Sequence, residues 1–299
     1  MDWWTHDRLV NYNQPNPAQN DISNWLIQNP QRLNLARIGF SFFNNNDGGT
    51  EITTIKEEDL QDKTQELDLW TGKITSSFKY NNTPAHVETF ADPGSDSVGI
   101  VVESELLVSG SLGIFFDFPL PTRNKFDAPF VGVFNATSEH RTTLRVEKKS
   151  KGQGKGSSAV IRHDLDETSY QVSISWSSEA EIVGPIKKGT HRYLLRPRPT
   201  GKSESKRLSL AVTFAPSTSP ITMTTTTAMT RSRVSSSVAS IVKASSESWE
   251  EFWNLGAFVD LSATVATNST EAKELQRRII LSQYLTAVNS ASRYPPQGK

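Results

Sequence analysis

Acid–base cleavage of a bond needs two groups flanking it, one of them an acid with a raised pKa. The adjacent carboxylates Glu250 and Glu251 fail this test. Neighbouring helical residues point about 100° apart, so the pair reads as a solvated face. Asp260 sits inside Phe258-Val259-Asp260-Leu261-Ser262, where a cap or a loop hydrogen bond is the commoner role. Arg277 and Arg278 could grip an anion, but Glu274 lies within one helical turn and predicts ion pairing instead. The basic run Lys148–Gly156 holds Gly-x-Gly-x-Gly. A phosphate cradle needs such glycines to open onto a helix, and here a strand pattern follows, so a solvated hairpin tip is expected. Trp70, beside Thr71-Gly72, and the pair Trp3-Trp4 could stack on a sugar ring, although buried anchoring is the usual work of tryptophan. The chain has no cysteine, which removes thiolate chemistry and disulfides. Its 5 histidines are scattered without ligand spacing, so no metal site is expected, and no cofactor either. No catalytic residue is assigned.

The totals narrow the classes further. Lys+Arg number 32 and Asp+Glu 32, so the formal charge is zero and nothing argues for nucleic acid or an anionic membrane surface. No apolar run approaches a membrane span. The N-terminus lacks a basic and then apolar leader, which by default points to the cytoplasm. Asn81-Asn82-Thr83, Asn135-Ala136-Thr137 and Asn268-Ser269-Thr270 fit the N-glycosylation pattern, a short one that is common by chance.

These residues must be positioned by elements, and period-two alternation dominates the first 215 positions. Leu33 to Phe42, Leu67 to Tyr80, Val87 to Thr89 and Val98 to Val102 read as strands, as do Leu144–Val146 and Tyr170-x-Val172-x-Ile174-x-Trp176. Leu208 to Phe214 reads the same way. Leu112–Phe118 and Phe130–Phe134 are short continuous apolar runs, the signature of strands buried on both faces. Many strands with no helix between them predict an antiparallel β-sandwich over 1–215. Residues 216–248 turn to serine and threonine and form a linker. Its later part, with Val234, Val238, Ile241, Val242 and Ser245, is spaced like a helical stripe. From 249 to 299 the pattern is helical. Asn268–Thr270 offer N-caps, Glu274 pairs with Arg278, and Pro295-Pro296 stop the helix. Apolar residues on more than one side predict that this helix packs between neighbours.

The C-terminal motifs also carry a resemblance. Trp-x-x-Phe-Trp (249–253), Asp-Leu-Ser (260–262), Glu-Leu-x-Arg-Arg-x-x-Leu-Ser-Gln-Tyr-Leu (274–285) and Pro-Pro-Gln (295–297) resemble the approach to the helical toroid of six-hairpin glycosidase-like proteins. These are related to glycoside hydrolase families 65 and 95 and to acid trehalases. Trp-Leu-Ile-Gln-Asn-Pro-Gln-Arg-Leu-Asn-Leu-Ala-Arg-Ile-Gly (25–39), Gln-Glu-Leu-Asp-Leu-Trp-Thr-Gly (65–72) and Val-Glu-Thr (87–89) are similar to the β-sandwich that precedes the toroid.

The resemblance implies a mainly β chain: the sandwich, the linker, and the start of an (α/α)6 toroid. It implies a carbohydrate partner, and places Pro-Pro-Gln at the active-site end of the toroid. Tyr284 and Gln297 are therefore candidates for substrate proximity, with Trp70 as a third. The family's catalytic glutamate follows Pro-Pro-Gln deep in the helical domain, and no position here matches it. The expectation is a glycosidase-like fragment, inactive alone, whose intact relative cleaves glycosidic bonds with inversion. Upstream sandwich strands are expected to be missing too. The alternative is a non-catalytic carbohydrate-binding or scaffold sandwich whose C-terminal helix docks on a partner.

Overall fold

In a computed structural model, the described residues are 2–5, 7–11, 17–22, 34–44, 49–121, 131–147, 157–165, 168–177, 179–187, 189–198, 206–217, 237–256, 258–261 and 270–290. Strands β1 (Asp2–Thr5) and β2 (Arg8–Asn11) form a small hairpin. The body is two antiparallel sheets face to face. The five-stranded sheet has the order β13-β14-β9-β3-β4. Its strands are β3 (Arg37–Asn44), β4 (Thr50–Ile52), β9 (Leu112–Asp117), β13 (Ala180–Val183) and β14 (Arg192–Pro197). The eight-stranded sheet has the order β10-β11-β12-β15-β8-β7-β6-β5. Here β5 is Gln61–Asp68, β6 Lys73–Tyr80, β7 Thr83–Ala91 and β8 Ser97–Ser104. The others are β10 (Arg141–Glu147), β11 (Ser157–Asp164), β12 (Ser169–Trp176) and β15 (Arg207–Pro216). A single turn of helix, α1 (Glu105–Val108), follows β8, with the Ser104 hydroxyl accepting from the Leu106 amide at its start.

The alternation in sequence becomes the inner face of each sheet. Tyr170, Val172, Ile174 and Trp176 of β12 are buried, and the residues between them are not. Across the ladder lie Leu208, Leu210 and Val212 of β15 and Ala159 and Ile161 of β11, all buried. They meet Leu112, Ile114 and Phe116 of β9 and Tyr193 and Leu195 of β14 in one core. Each such aliphatic or aromatic side chain contributes about 1.5–3 kcal/mol on burial. The continuous apolar run at Leu112 is the central strand β9. Its outward residue Phe115 is covered by Arg192, which is why the run needs no polar alternation. The second such run, at Phe130, differs from expectation. Its described part, 131–134, forms only the single bridge Leu120–Val133, and Val131 is exposed.

Among the described residues, two helices follow the sandwich. Helix α2 (Val238–Leu255) begins at Ser237, whose hydroxyl accepts from the Ser240 amide at 3.1 Å. The helical stripe seen within the linker is thus the first half of a helix that runs through Trp249. Ile241 and Val238 lie on the outer face of the eight-stranded sheet against Phe90 and Ala211. Gly99 of β8 is the landing point, where an added Cβ would stand 3.3 Å from Ile241. Helix α3 (Thr270–Ser290) carries the expected ion pairs, Glu274 with Arg277 and Arg278, both at 2.7 Å. Those two arginines hold the Glu274 carboxyl at about 2. Helix α3 departs from expectation in its packing. None of its residues is buried.

Candidate functional site

Two of the aromatic residues named from sequence, Trp70 and Tyr284, lie on elements that meet at one corner of the molecule, whereas Trp3 and Trp4 lie on the separate β1–β2 hairpin. The β5–β6 hairpin tip, residues 69–72, is shaped by Asp68. Its carboxylate accepts from the Trp70 amide at 2.9 Å and the Thr71 hydroxyl at 2.7 Å, and its carbonyl from the Gly72 amide at 2.8 Å. Gly72 sits at φ +67, in the left-handed region that glycine tolerates. Helix α2 closes on this tip. The Trp253 indole N–H donates to the Leu69 carbonyl at 2.7 Å, and the Ser245 hydroxyl to the Thr71 carbonyl at 3.2 Å. Trp249 lies directly on Gly72, where an added Cβ would come within 2.1 Å of its indole nitrogen.

Helix α3 joins the same corner through Tyr284. Its ring stacks on Trp249 with centroids 4.7 Å apart and an interplanar angle of 23°. Partial burial there raises the Tyr284 phenol above its usual range. Trp249 also faces Trp253 at 6.2 Å and Phe252 at 5.4 Å. A further tie is the Leu261 amide, which donates to the Gln276 side-chain carbonyl at 2.8 Å. Trp70 stands on the hairpin tip, 46% exposed, between the two residues that receive the helix. The structure thus brings Trp70 and Tyr284 to one locality, while Gln297 lies outside the described residues. Glu250 and Glu251 are exposed, as their spacing predicts. The Lys148–Gly156 tip lies outside the described residues.

A second locality was not legible in sequence. A cleft of about 700 Å³ opens over β3, β4, β9 and β14 on the outer face of the smaller sheet. Arg192 is its hub, bonded to Glu51 at 2.7 Å and to the Ser41 hydroxyl at 3.1 Å, with Asp117 at 3.9 Å. Arg37 holds Asp117 from the other side at 3.1 Å. Two phenyl rings lie flat on the sheet because glycines sit beneath them. Phe115 crosses Gly39 and Phe43 crosses Gly113, and a Cβ on either glycine would meet the ring within 3.0 Å. Arg192 covers the first ring at 3.9 Å and Arg196 the second at 4.2 Å. The guanidinium groups are thus held by carboxylates and rings of this same face.

The third is a buried polar cluster. His140, His163 and His191, scattered in sequence, meet between the sheets beside Tyr170, Tyr193 and Thr142. The signal that would have found them is the inward phase of His163 on β11, in register with Thr142 and Tyr170. No group of His, Asp or Glu among the described residues has the geometry to hold a metal ion.

No family model matches the chain, and no curated protein sequence matches it either. Among solved structures it is similar to a candidate kojibiose phosphorylase from the human microbiome, at 13% identity over 73% of this chain, with a TM-score of 0.39. The chain spans 27% of that protein's length. At that level the likeness carries no argument about activity. No helix among the described residues is long and apolar enough to cross a membrane.

Proposed function

We propose that this chain is the sandwich and linker of a glycosidase-like or phosphorylase-like protein of carbohydrate metabolism. In this reading the chain holds a helical catalytic part in place and does not itself catalyse. One observation carries it. Three of the motifs behind the family resemblance, separated in sequence, meet at the aromatic corner: 65–72 as the hairpin tip, 249–253 as the helix clamped on it, and 274–285 as the helix stacked on that clamp. Motifs that converge in space support a shared role better than their separate appearance in sequence. Residues 1–215, 216–248 and 249–299 then act as sandwich, linker and the first helical part of a toroid. Tyr284, Gln297 and Trp70 would lie toward the sugar-handling end. The test is turnover of α-linked disaccharides, with and without inorganic phosphate. The 299-residue chain is expected to release no glucose and no glucose phosphate, and the product of the complete transcript is expected to release glucose, accompanied by glucose phosphate if it is phosphorolytic. Release by the chain alone would overturn the reading.

The outer-face cleft favours a second reading, a non-catalytic carbohydrate-binding module. Its size falls in the range of small-molecule sites, and Glu51, Asp117 and Ser41 offer acceptors for hydroxyls. Titration of malto-oligosaccharides, followed by amide shifts of β3 and β14, tests it. Saturable shifts abolished by Ser41→Val would support the module, and absence of shifts would dismiss it.

A further inference from the structure

The proton positions in the histidine cluster follow from its partners. The Tyr170 hydroxyl donates to the Leu35 carbonyl, so its oxygen can only accept from His163 Nδ1, 2.7 Å away. His163 Nε2 is then bare and accepts from His140 Nδ1 at 2.7 Å. This leaves His140 Nε2 bare, buried, and without a hydrogen-bond partner among the described residues. On the other side His191 Nε2 donates to the Thr137 carbonyl at 3.0 Å, so its Nδ1 accepts from the Thr142 hydroxyl at 2.9 Å. The Thr142 oxygen in turn accepts from Tyr193 at 2.7 Å. In this assignment the His140–His163 pair carries one proton on each ring, both on Nδ1.

The same bonds join the two sheets. Tyr170 of β12 reaches the carbonyl of Leu35, which leads into β3, and Tyr193 of β14 reaches Thr142 of β10. His140 and His191 lie ring to ring at 3.8 Å, and Phe118 turns its edge to His163 at 5.6 Å. The titratable groups facing the rings are the two phenols, both held neutral by burial. Charged neighbours in the chain point to the opposite strand faces: Arg162 pairs with Asp164, Arg192 with Glu51, and Arg141 is exposed. Among the described residues, no carboxylate is bonded to any of the three rings to receive a new positive charge.

We propose that the His140–His163–His191 cluster is an acid-sensitive latch between the two sheets. Neutral, it ties β10, β11 and β12 to β14 and to the start of β3. One added proton leaves a single N–H bridging His140 Nδ1 and His163 Nε2 across 2.7 Å and puts an N–H on buried His140 Nε2, which has no acceptor among the described residues; a second would point N–H at N–H. Burial, with the neighbouring imidazoles, accordingly holds His140 down to about 4 and His163 to about 3. The latch lies next to β10, the edge strand of the larger sheet, so acid should loosen that edge first.

The test is urea unfolding of the full chain at pH 7.5 and pH 5, with histidine ring nitrogens followed by NMR. A ring that titrates near 6.5 when unfolded and near 4 when folded makes unfolding roughly 30-fold more favourable at pH 5 than at pH 7.5. His140→Gln, which keeps a donor toward His163 but cannot charge, should remove about that factor. Faster amide exchange at pH 5 should appear first over Arg141–Glu147. Equal pH dependence in the variant, or none in the native chain, would overturn the latch. If the variant does not fold, the native spectrum decides. His140 and His163 should stay neutral with hydrogen on Nδ1 at pH 6, and an imidazolium at either position in the folded chain would refute it.

Discussion

Tyr170 shows how much one side chain can carry. Its hydroxyl links a backbone carbonyl of one sheet to a buried imidazole of the other, in a core otherwise made of aliphatic and aromatic residues. Tyr170→Phe keeps the ring and removes both bonds, leaving His163 Nδ1 and the Leu35 carbonyl unpaired. The expected cost is about 1–3 kcal/mol, measured by urea unfolding at pH 7.5. The sign of the pH dependence follows from lowered histidine pKa values. The stabilising contribution is fully present above pH 6.5 and is lost as pH falls toward about 4 for His140 and about 3 for His163. Within that window each ring removes up to ~1.4 kcal/mol per pH unit. Little of this was legible beforehand. The histidines share no local spacing, and only strand register places His163 opposite Thr142 and Tyr170. Arg192 was invisible for the same reason, since its partners Glu51 and Asp117 come from distant strands.

At the level of elements, the attachment of α2 to the sheet is the critical contact. It rests on Ile241, fully buried over Gly99, and on the two indoles that close over residues 69–72. Ile241→Ala should cost about 2–5 kcal/mol, and amide exchange should show α2 opening while β8 and β15 stay protected. Gly72→Ala acts on the same contact from the other side. It combines a positive φ with a clash against Trp249 and should cost about 1–3 kcal/mol, seen as red-shifted tryptophan fluorescence with the β-sheet signal intact. The strands and the helical half of the linker were readable because their apolar spacing reports burial directly. The Phe130 run misled because an apolar run encodes burial and not pairing, and its described part forms a single bridge. Helix α3 misled in the opposite way. Its apolar flanks predict neighbours on several sides, yet Leu275, Leu285 and Val288 are about half exposed.

The described residues form two large antiparallel sheets and a small hairpin, with helices α2 and α3 meeting at one corner. The sandwich, the linker composition and the helical end could be read from period alone. The corner could not, because it brings the indoles of Trp249 and Trp253 onto a glycine and a carbonyl of residues 69–72, far away in sequence. It joins sandwich to helices, so a catalytic part that relied on this chain for its position would feel damage there. The measurement that tests this account most directly is disaccharide turnover, with and without phosphate, by the 299-residue chain and by the product of the complete transcript, the latter with and without Gly72→Ala. The account predicts no turnover by the chain, turnover by the complete product, and at least a tenfold fall in kcat/KM for the glycine variant with folding retained. Turnover by the chain alone, or a glycine variant with full activity, would contradict it.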